Sequence, residues 1–197
     1  MPSGLLDALA RVPDPRNPRG VRFRLATLLA VGVCAVTSAG RNSLTAFAEW
    51  VRRCDQDVLA RLGCPFDPFT GQFRAPGERT LRDVFARVDP AVLTAAGFAR
   101  LAALQPRPVS PAGPDGTVER EQRRAHRIAL REDRPRPRRA AFAEDASQIR
   151  RHRTPAVVSD LRDLARATLH RSGWANIASG RRAHTHPAAA LTLHGIP

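Results

Sequence analysis

Residues 25–40 read LATLLAVGVCAVTSAG and contain no charged side chain. A helix that is apolar on every side presents no surface suited to water, so it must lie inside a protein core or a membrane. At 16 residues the run is shorter than the roughly 20 that span a bilayer. Thr27, Thr37 and Ser38 also make it more polar than a typical membrane span. The run therefore predicts a helix buried in a protein core.

The segments around this run carry the apolar spacing of helices that bury one face. They are a short helix over 3–11, a helical stretch from Ser43 to Gly63, and helices over 78–89, 90–104 and 154–173. A turn-rich loop is expected over 12–20 and another loop over 64–77, and a shorter helix and an irregular tail follow residue 173. The pattern predicts a mainly α protein with a small N-terminal helical domain and a C-terminal helix.

Residues 105–153 interrupt the helical pattern. Four prolines fall within 105–116, a density that excludes a helix or a buried strand. Residues 119–153 carry 12 arginines against 6 acidic residues and little that can be buried. We therefore predict a disordered Arg/Pro-rich middle segment. Strands do not alternate with helices anywhere in the chain, as they would in an α/β catalytic domain.

The chain is strongly basic. Its 32 basic residues, all of them arginine, exceed 18 acidic residues and leave a formal net charge of +14. A bias toward GC-rich codons explains arginine in place of lysine, but it does not explain the excess of positive charge. That excess favours a polyanionic partner such as DNA, because arginine binds phosphate with a bidentate fork.

Two groups of arginines are the candidate DNA contacts. They are Arg16, Arg19, Arg22, Arg24 and Arg41 beside the apolar run, and Arg123, Arg124 and Arg127 in the basic middle. For the first group, the alternative is an ordinary solvated rim around a small core. For the second group, the alternative is an unselected low-complexity stretch.

The cysteines and histidines do not predict a metal site. Cys34, Cys54 and Cys64 form an odd set without a CxxC pair, which favours buried thiols in a reducing cytoplasm. A zinc site built from Cys54, Cys64 and a histidine would have an unusual spacing. His184 and His186 in AHTHP are typical of a surface loop. The N-terminus has no signal-peptide pattern, so we expect a cytoplasmic protein without a membrane anchor.

Two blocks of the sequence contain recognisable motifs. The first block has DPR at 14–16, Gly20, an apolar helix ending in CAVTSAG at 34–40, Trp50, and then Pro76, Thr80, Arg82 and Asp89. The second block has EDAS at 144–147, LRDLA at 161–165 and GWANIA at 173–178. In this order the two blocks resemble the leader domain and the final segment of H-repeat-associated DDE transposases from bacterial insertion sequences.

The resemblance implies an RNase H-like domain between the two blocks, with two Asp and one Glu that bind Mg²⁺ or Mn²⁺ for DNA strand transfer. Asp115 in PDG and Glu132 in AHRIALRED match two of these carboxylates by position. However, only 25 residues separate Gly116 from Phe142, too few for that sheet and its helices. We therefore expect the RNase H-like core to be absent or vestigial, the two carboxylates to be vestigial, and the chain to hold no metal cofactor.

The resemblance divides the chain into a leader domain at 1–104, a basic deletion scar at 105–141, and a remnant of the DDE domain at 142–197. It implies an internally deleted transposase that has lost catalysis and binds DNA at insertion-sequence ends. The alternative is a non-enzymatic DNA-binding or regulatory protein that acts on those ends or on an intact transposase.

Overall fold

The computed structural model describes residues 4–38, 43–103 and 153–197. Most of these residues lie in helices, and one two-stranded antiparallel sheet accompanies them. The elements are α1 (Leu5–Leu9), α2 (Leu25–Thr37), α3 (Leu44–Arg52), α4 (Gln56–Arg61), β1 (Phe66–Asp67), β2 (Gln72–Phe73), α5 (Glu78–Phe85), α6 (Pro90–Ala103), α7 (Thr154–Arg171), α8 (Ile177–Ala183) and α9 (Pro187–Leu193). The prediction of a mainly α fold is confirmed, and the described residues lack an RNase H-like core.

Helix α2 lies at the centre of the fold. Every residue of this helix except Ala26 is buried, and α1, α3, α5, α7 and α9 all pack against it. This confirms the prediction that the uncharged run forms a buried helix. Within the described ranges, no helix combines the length and the apolar character needed to cross a membrane.

Helix α7 packs directly on the N-terminal helices, although residues 104–153 separate it from α6 in sequence. Its apolar face contacts α2 and α6, and Leu161 and Leu164 are buried there. Gly32 of α2 and Gly97 of α6 lie against these two leucines so closely that an added Cβ would collide with the leucine side chain. One continuous core therefore includes residues from both ends of the chain.

Hydrogen bonds also hold the last residues of the chain to the N-terminal helices. The Arg61 guanidinium donates to the carbonyl oxygens of Ile196 and Pro197 at 2.9 and 2.7 Å. Arg100 of α6 donates to the carbonyl oxygen of His194 at 2.6 Å, and the Thr37 hydroxyl lies 2.8 Å from His194 Nε2. The boundaries predicted at 104/105 and 141/142 lie outside the described residues, so that division stays a prediction.

Three predictions of local structure need correction: the single helical stretch over 43–63, the loop over 64–77 and the irregular C-terminal tail. The stretch from Ser43 to Gly63 is two helices rather than one, because Asp55 adopts an extended conformation as the N-cap of α4. Ser43 itself caps α3 as expected, since its hydroxyl accepts a hydrogen bond from the Ala46 amide at 3.1 Å. The expected loop over 64–77 contains the β1–β2 pair.

The expected irregular tail contains helix α9. Pro187 occupies its first turn, the His186 ring nitrogen accepts from the Ala188 amide, and Gly195 follows the helix with a positive φ. Proline at the start and glycine just past the end are typical of helix boundaries. Helix α9 could therefore have been predicted from the sequence.

Candidate nucleic-acid interface

The loop between α1 and α2 is fixed by its own side chains. The Asp14 carboxylate accepts from the Arg16 guanidinium at 2.8 and 2.6 Å and from the Arg16 amide at 3.1 Å. Arg16 also donates to the carbonyl oxygen of Phe23 at 2.8 Å, which closes the loop. The Arg16 side-chain hydrogen bond lowers the pKa of Asp14. Since Phe23 is buried, the backbone beside the exposed Arg22 is anchored to the core.

The β1–β2 hairpin is fixed by a buried carboxylate. Asp67 Oδ2 accepts from Arg74 Nε at 3.0 Å and from the Thr70 hydroxyl at 2.9 Å, and Asp67 Oδ1 accepts from the Phe69 amide at 3.2 Å. The Arg74 hydrogen bond holds the pKa of Asp67 below its ordinary value. Gly71 completes the turn with a φ of +66°, a conformation that favours glycine. The carboxylate thus binds Arg74, Thr70 and the Phe69 amide together, which gives the turn a defined conformation.

The hairpin is also tied to the helices behind it. The Phe73 amide donates to the Gln56 side chain of α4 at 2.6 Å, and β2 packs on α4. The Phe73 ring contacts the Phe66 ring edge to face, with 5.3 Å between centroids. The hairpin is therefore a fixed part of the N-terminal surface.

A surface groove of about 510 Å³ lies where the loop, the end of α3 and the hairpin meet. Phe23, Phe73 and Ala75 form its apolar part. Three arginines line it, namely Arg22 from the loop, Arg52 from the last residue of α3, and Arg74 from the hairpin. Thr70, Gln72 and Thr80 add polar side chains.

The groove has a net positive charge. Asp67 is the single carboxylate among its described lining residues, and it is buried and paired with Arg74 at 2.5 Å. Arg22 and Arg52 are exposed, and neither forms an ion pair within the described part of the chain. Two exposed guanidiniums beside a polar wall are suited to phosphate oxygens.

Only some of the arginines predicted to contact DNA lie at the groove. Arg22 lines the groove, whereas Arg16 is engaged in the loop with its side chain only 13% exposed. Arg19 and Arg24 are exposed but do not line the groove. The remaining candidates, Arg41, Arg123, Arg124 and Arg127, lie outside the described residues, as do the vestigial carboxylates Asp115 and Glu132.

Sequence reasoning missed Arg52 and Arg74. Thirty positions separate Arg22 from Arg52 and a further 22 separate Arg52 from Arg74, so no local pattern connects them. Each looks like an ordinary surface residue in its own segment. Their proximity depends on how the loop, α3 and the hairpin pack.

The described residues do not fit the two-metal site of a DDE transposase. Among them, no group of three or more His, Cys, Asp and Glu side chains is placed to hold a metal ion. The alternative zinc site from Cys54 and Cys64 is likewise not formed in the described ranges. All three cysteines are buried thiols, and burial raises the pKa of Cys64 to about 12, so that thiol stays protonated and unreactive at neutral pH.

The two histidines of AHTHP have structural roles. His184 Nδ1 lies 2.7 Å from the carbonyl oxygen of Gly180, and its ring packs edge to face on Trp174 at 5.8 Å. His186 caps α9. Trp50 is buried in the core, whereas Trp174 is only partly buried.

The described residues form a small, mainly helical fold with a basic groove, and none of their His, Cys, Asp and Glu side chains cluster to hold a metal ion. Residues 6–99 match the family model described as DDE_Tnp_1-associated. The N-terminal region of this chain is thus a DDE transposase-associated domain, and the predicted resemblance is confirmed for that region. No curated protein and no solved structure matches the chain.

Proposed function

We propose that this protein is a transposase-derived DNA-binding protein that has lost strand-transfer chemistry and binds DNA at the ends of an insertion sequence. The observation that carries the proposal is the basic groove, because it lies wholly within the transposase-associated region. Arg22, Arg52 and Arg74 line one concave surface, and the one carboxylate there is neutralised by Arg74.

Loss of catalysis is supported by the sequence between the two blocks. The 25 residues from 117 to 141 are too few for a sheet that positions three carboxylates around two metal ions. The described elements on both sides of this gap are helices that pack on one another, α6 before it and α7 after it. The residues that line the basic groove all precede this gap in the sequence.

DNA binding is tested by fluorescence anisotropy with a labelled duplex of mixed sequence over a range of salt concentrations. We expect affinity to fall steeply with salt, because bound arginines release counterions from the phosphates. The double variant Arg22→Gln/Arg52→Gln should bind more weakly, and its plot of log K against log salt should be shallower by about 2 if each arginine neutralises one phosphate.

The matched control is Arg87→Gln/Arg182→Gln, which removes the same charge from exposed positions outside the groove. An equal loss of affinity in both double variants would show that only net charge matters and would overturn the groove assignment. Competition with the DNA that flanks the coding sequence tests whether insertion-sequence ends are preferred.

Loss of catalysis is tested by incubating the chain with supercoiled plasmid that carries those flanking sequences, in the presence of Mg²⁺ or Mn²⁺. We expect no nicked or joined product under conditions in which the chain binds the DNA. Metal-dependent cleavage by the chain alone, absent from an Asp115→Asn/Glu132→Gln variant, would contradict the proposal.

A further inference from the structure

An exposed aromatic residue lies at the tip of the hairpin that forms one wall of the basic groove. Phe69 is 96% exposed, more than any other large hydrophobic residue described, and Phe66 on the same hairpin is 54% exposed. Water contact with a whole phenyl ring is unfavourable. A phenylalanine in this place therefore contributes nothing to the packing of the described fold.

Hydrogen bonds hold the turn that carries Phe69 in one conformation. The Phe69 amide donates to Asp67 Oδ1 at 3.2 Å, and the Gly71 amide donates to the carbonyl oxygen of Asp67 at 2.9 Å. Arg74 and Thr70 hold the same carboxylate from the other side. The ring is thus presented on a backbone that has already lost much of its freedom, which reduces the entropy cost of binding.

The turn that carries the exposed ring adjoins a groove of charged and polar residues, which points to nucleic acid rather than to an apolar protein surface. Thr70, the next residue, lines the groove together with Arg22, Arg52 and Arg74. An aromatic ring beside a cationic groove is the arrangement that binds single-stranded nucleic acid, because the guanidiniums contact phosphates and the ring stacks on a base.

We propose that Phe69 stacks on an unpaired base, so that the hairpin binds the single-stranded end of a DNA whose duplex portion contacts the arginines of the basic groove through its backbone phosphates. This inference rests on the proposed DNA-binding function and adds a preference for DNA ends with unpaired bases. In a blunt duplex the bases are paired and stacked on their neighbours, and only the outer faces of the two terminal pairs are open, so Phe69 gains little there.

The test uses the full chain and two labelled DNAs, a blunt duplex and the same duplex with a single-stranded oligothymidine extension. We expect the extended DNA to bind more tightly. Phe69→Ala should lower its affinity about tenfold and leave the affinity for blunt duplex unchanged. Phe69→Leu keeps an apolar side chain without a π-face and should behave as Phe69→Ala does, whereas Phe69→Trp should retain the preference.

Phe98→Ala is the matched control, because Phe98 is 43% exposed on α6 and does not line the groove. It should bind both DNAs as the unaltered protein does. Circular dichroism should show the same helix content for all these variants, since the replaced rings are exposed.

The outcomes separate this inference from the proposed function. If the chain binds blunt duplex through Arg22 and Arg52 but Phe69→Ala keeps the full preference for extended DNA, only the stacking inference is overturned. An equal loss of affinity for both DNAs in Phe69→Ala would also overturn it, since that result indicates that the ring inserts between base pairs of the duplex. If neither DNA binds, the proposed function fails together with the inference.

Discussion

At the scale of single residues, the most unusual group is the fully buried His194. Its Nε2 lies 2.8 Å from Thr37 Oγ1, and that hydroxyl donates to the carbonyl oxygen of Val33 at 2.8 Å, so Nε2 is the donor in the pair. Nδ1 has no hydrogen-bond partner among the described residues. Burial above all, and then the charges of Arg100 and His184, lower the pKa of His194 to about 3. The imidazole is therefore neutral in the folded protein.

This burial predicts a loss of stability on mild acidification. Below its ordinary pKa of 6.5 the histidine binds a proton in the unfolded chain but not in the folded one, down to about pH 3. The free energy of unfolding should fall by up to about 1.4 kcal/mol per pH unit below that value from this residue. Urea unfolding of His194→Gln, which keeps an N–H donor but cannot titrate, should show a weaker dependence on pH. Parallel pH profiles for the two proteins would contradict this.

A second residue-scale prediction concerns Asp67. Because its pKa is held below the ordinary 3.8, its contribution to stability is present above that value and is lost as the pH falls below it. At neutral pH, Asp67→Asn should release Arg74 and loosen the turn, which amide hydrogen exchange at Phe69 and Gly71 would detect as faster exchange. Asp83→Asn removes an exposed carboxylate and is the control that should leave those amides unchanged.

At the scale of elements, the close packing of α6 on α7 depends on Gly97. An added Cβ there would collide with Leu164, so Gly97→Ala should cost about 1–3 kcal/mol of unfolding free energy, despite the better helix propensity of alanine. Leu164→Ala alone should cost about 2–5 kcal/mol by leaving a cavity. The double variant should lose less unfolding free energy than the two single variants lose together, because the new methyl group occupies part of that cavity.

Equilibrium urea unfolding of the four proteins measures this coupling. Strictly additive costs in the double variant would show that α6 and α7 do not pack as described.

At the scale of the whole molecule, the transposase-associated region does not enclose its own core. Helix α2 lies within the matched region 6–99, yet α7 and α9, from outside it, cover part of its surface. We expect a fragment of residues 1–104 to lack a cooperative thermal transition and to bind the dye ANS, because that surface is exposed. Adding a peptide of residues 153–197 should restore cooperative unfolding. A fragment that unfolds cooperatively alone, with the midpoint of the full chain, would contradict this.

Much of the fold could be predicted from the sequence because the signals are local. The uncharged run at 25–40 specified a buried helix, Ser43 specified a helix start, and Gly173 specified a helix end, since each depends on neighbouring residues in the chain. The break at Asp55 was missed because the apolar spacing continues across it. Helix α9 was missed although its boundary residues, Pro187 and Gly195, mark it clearly.

The sequence by itself determined the helical class, the apolar centre, the basic charge and the resemblance to a transposase-associated region. The tertiary structure decided which surfaces meet: that α7 covers α2, that Arg16 is engaged within its loop, and that Arg22, Arg52 and Arg74 share a groove. The physical reason is that helix formation and charge follow from residues a few positions apart. Packing and grooves instead depend on contacts between residues that are distant in sequence, and no local pattern encodes which of them will touch.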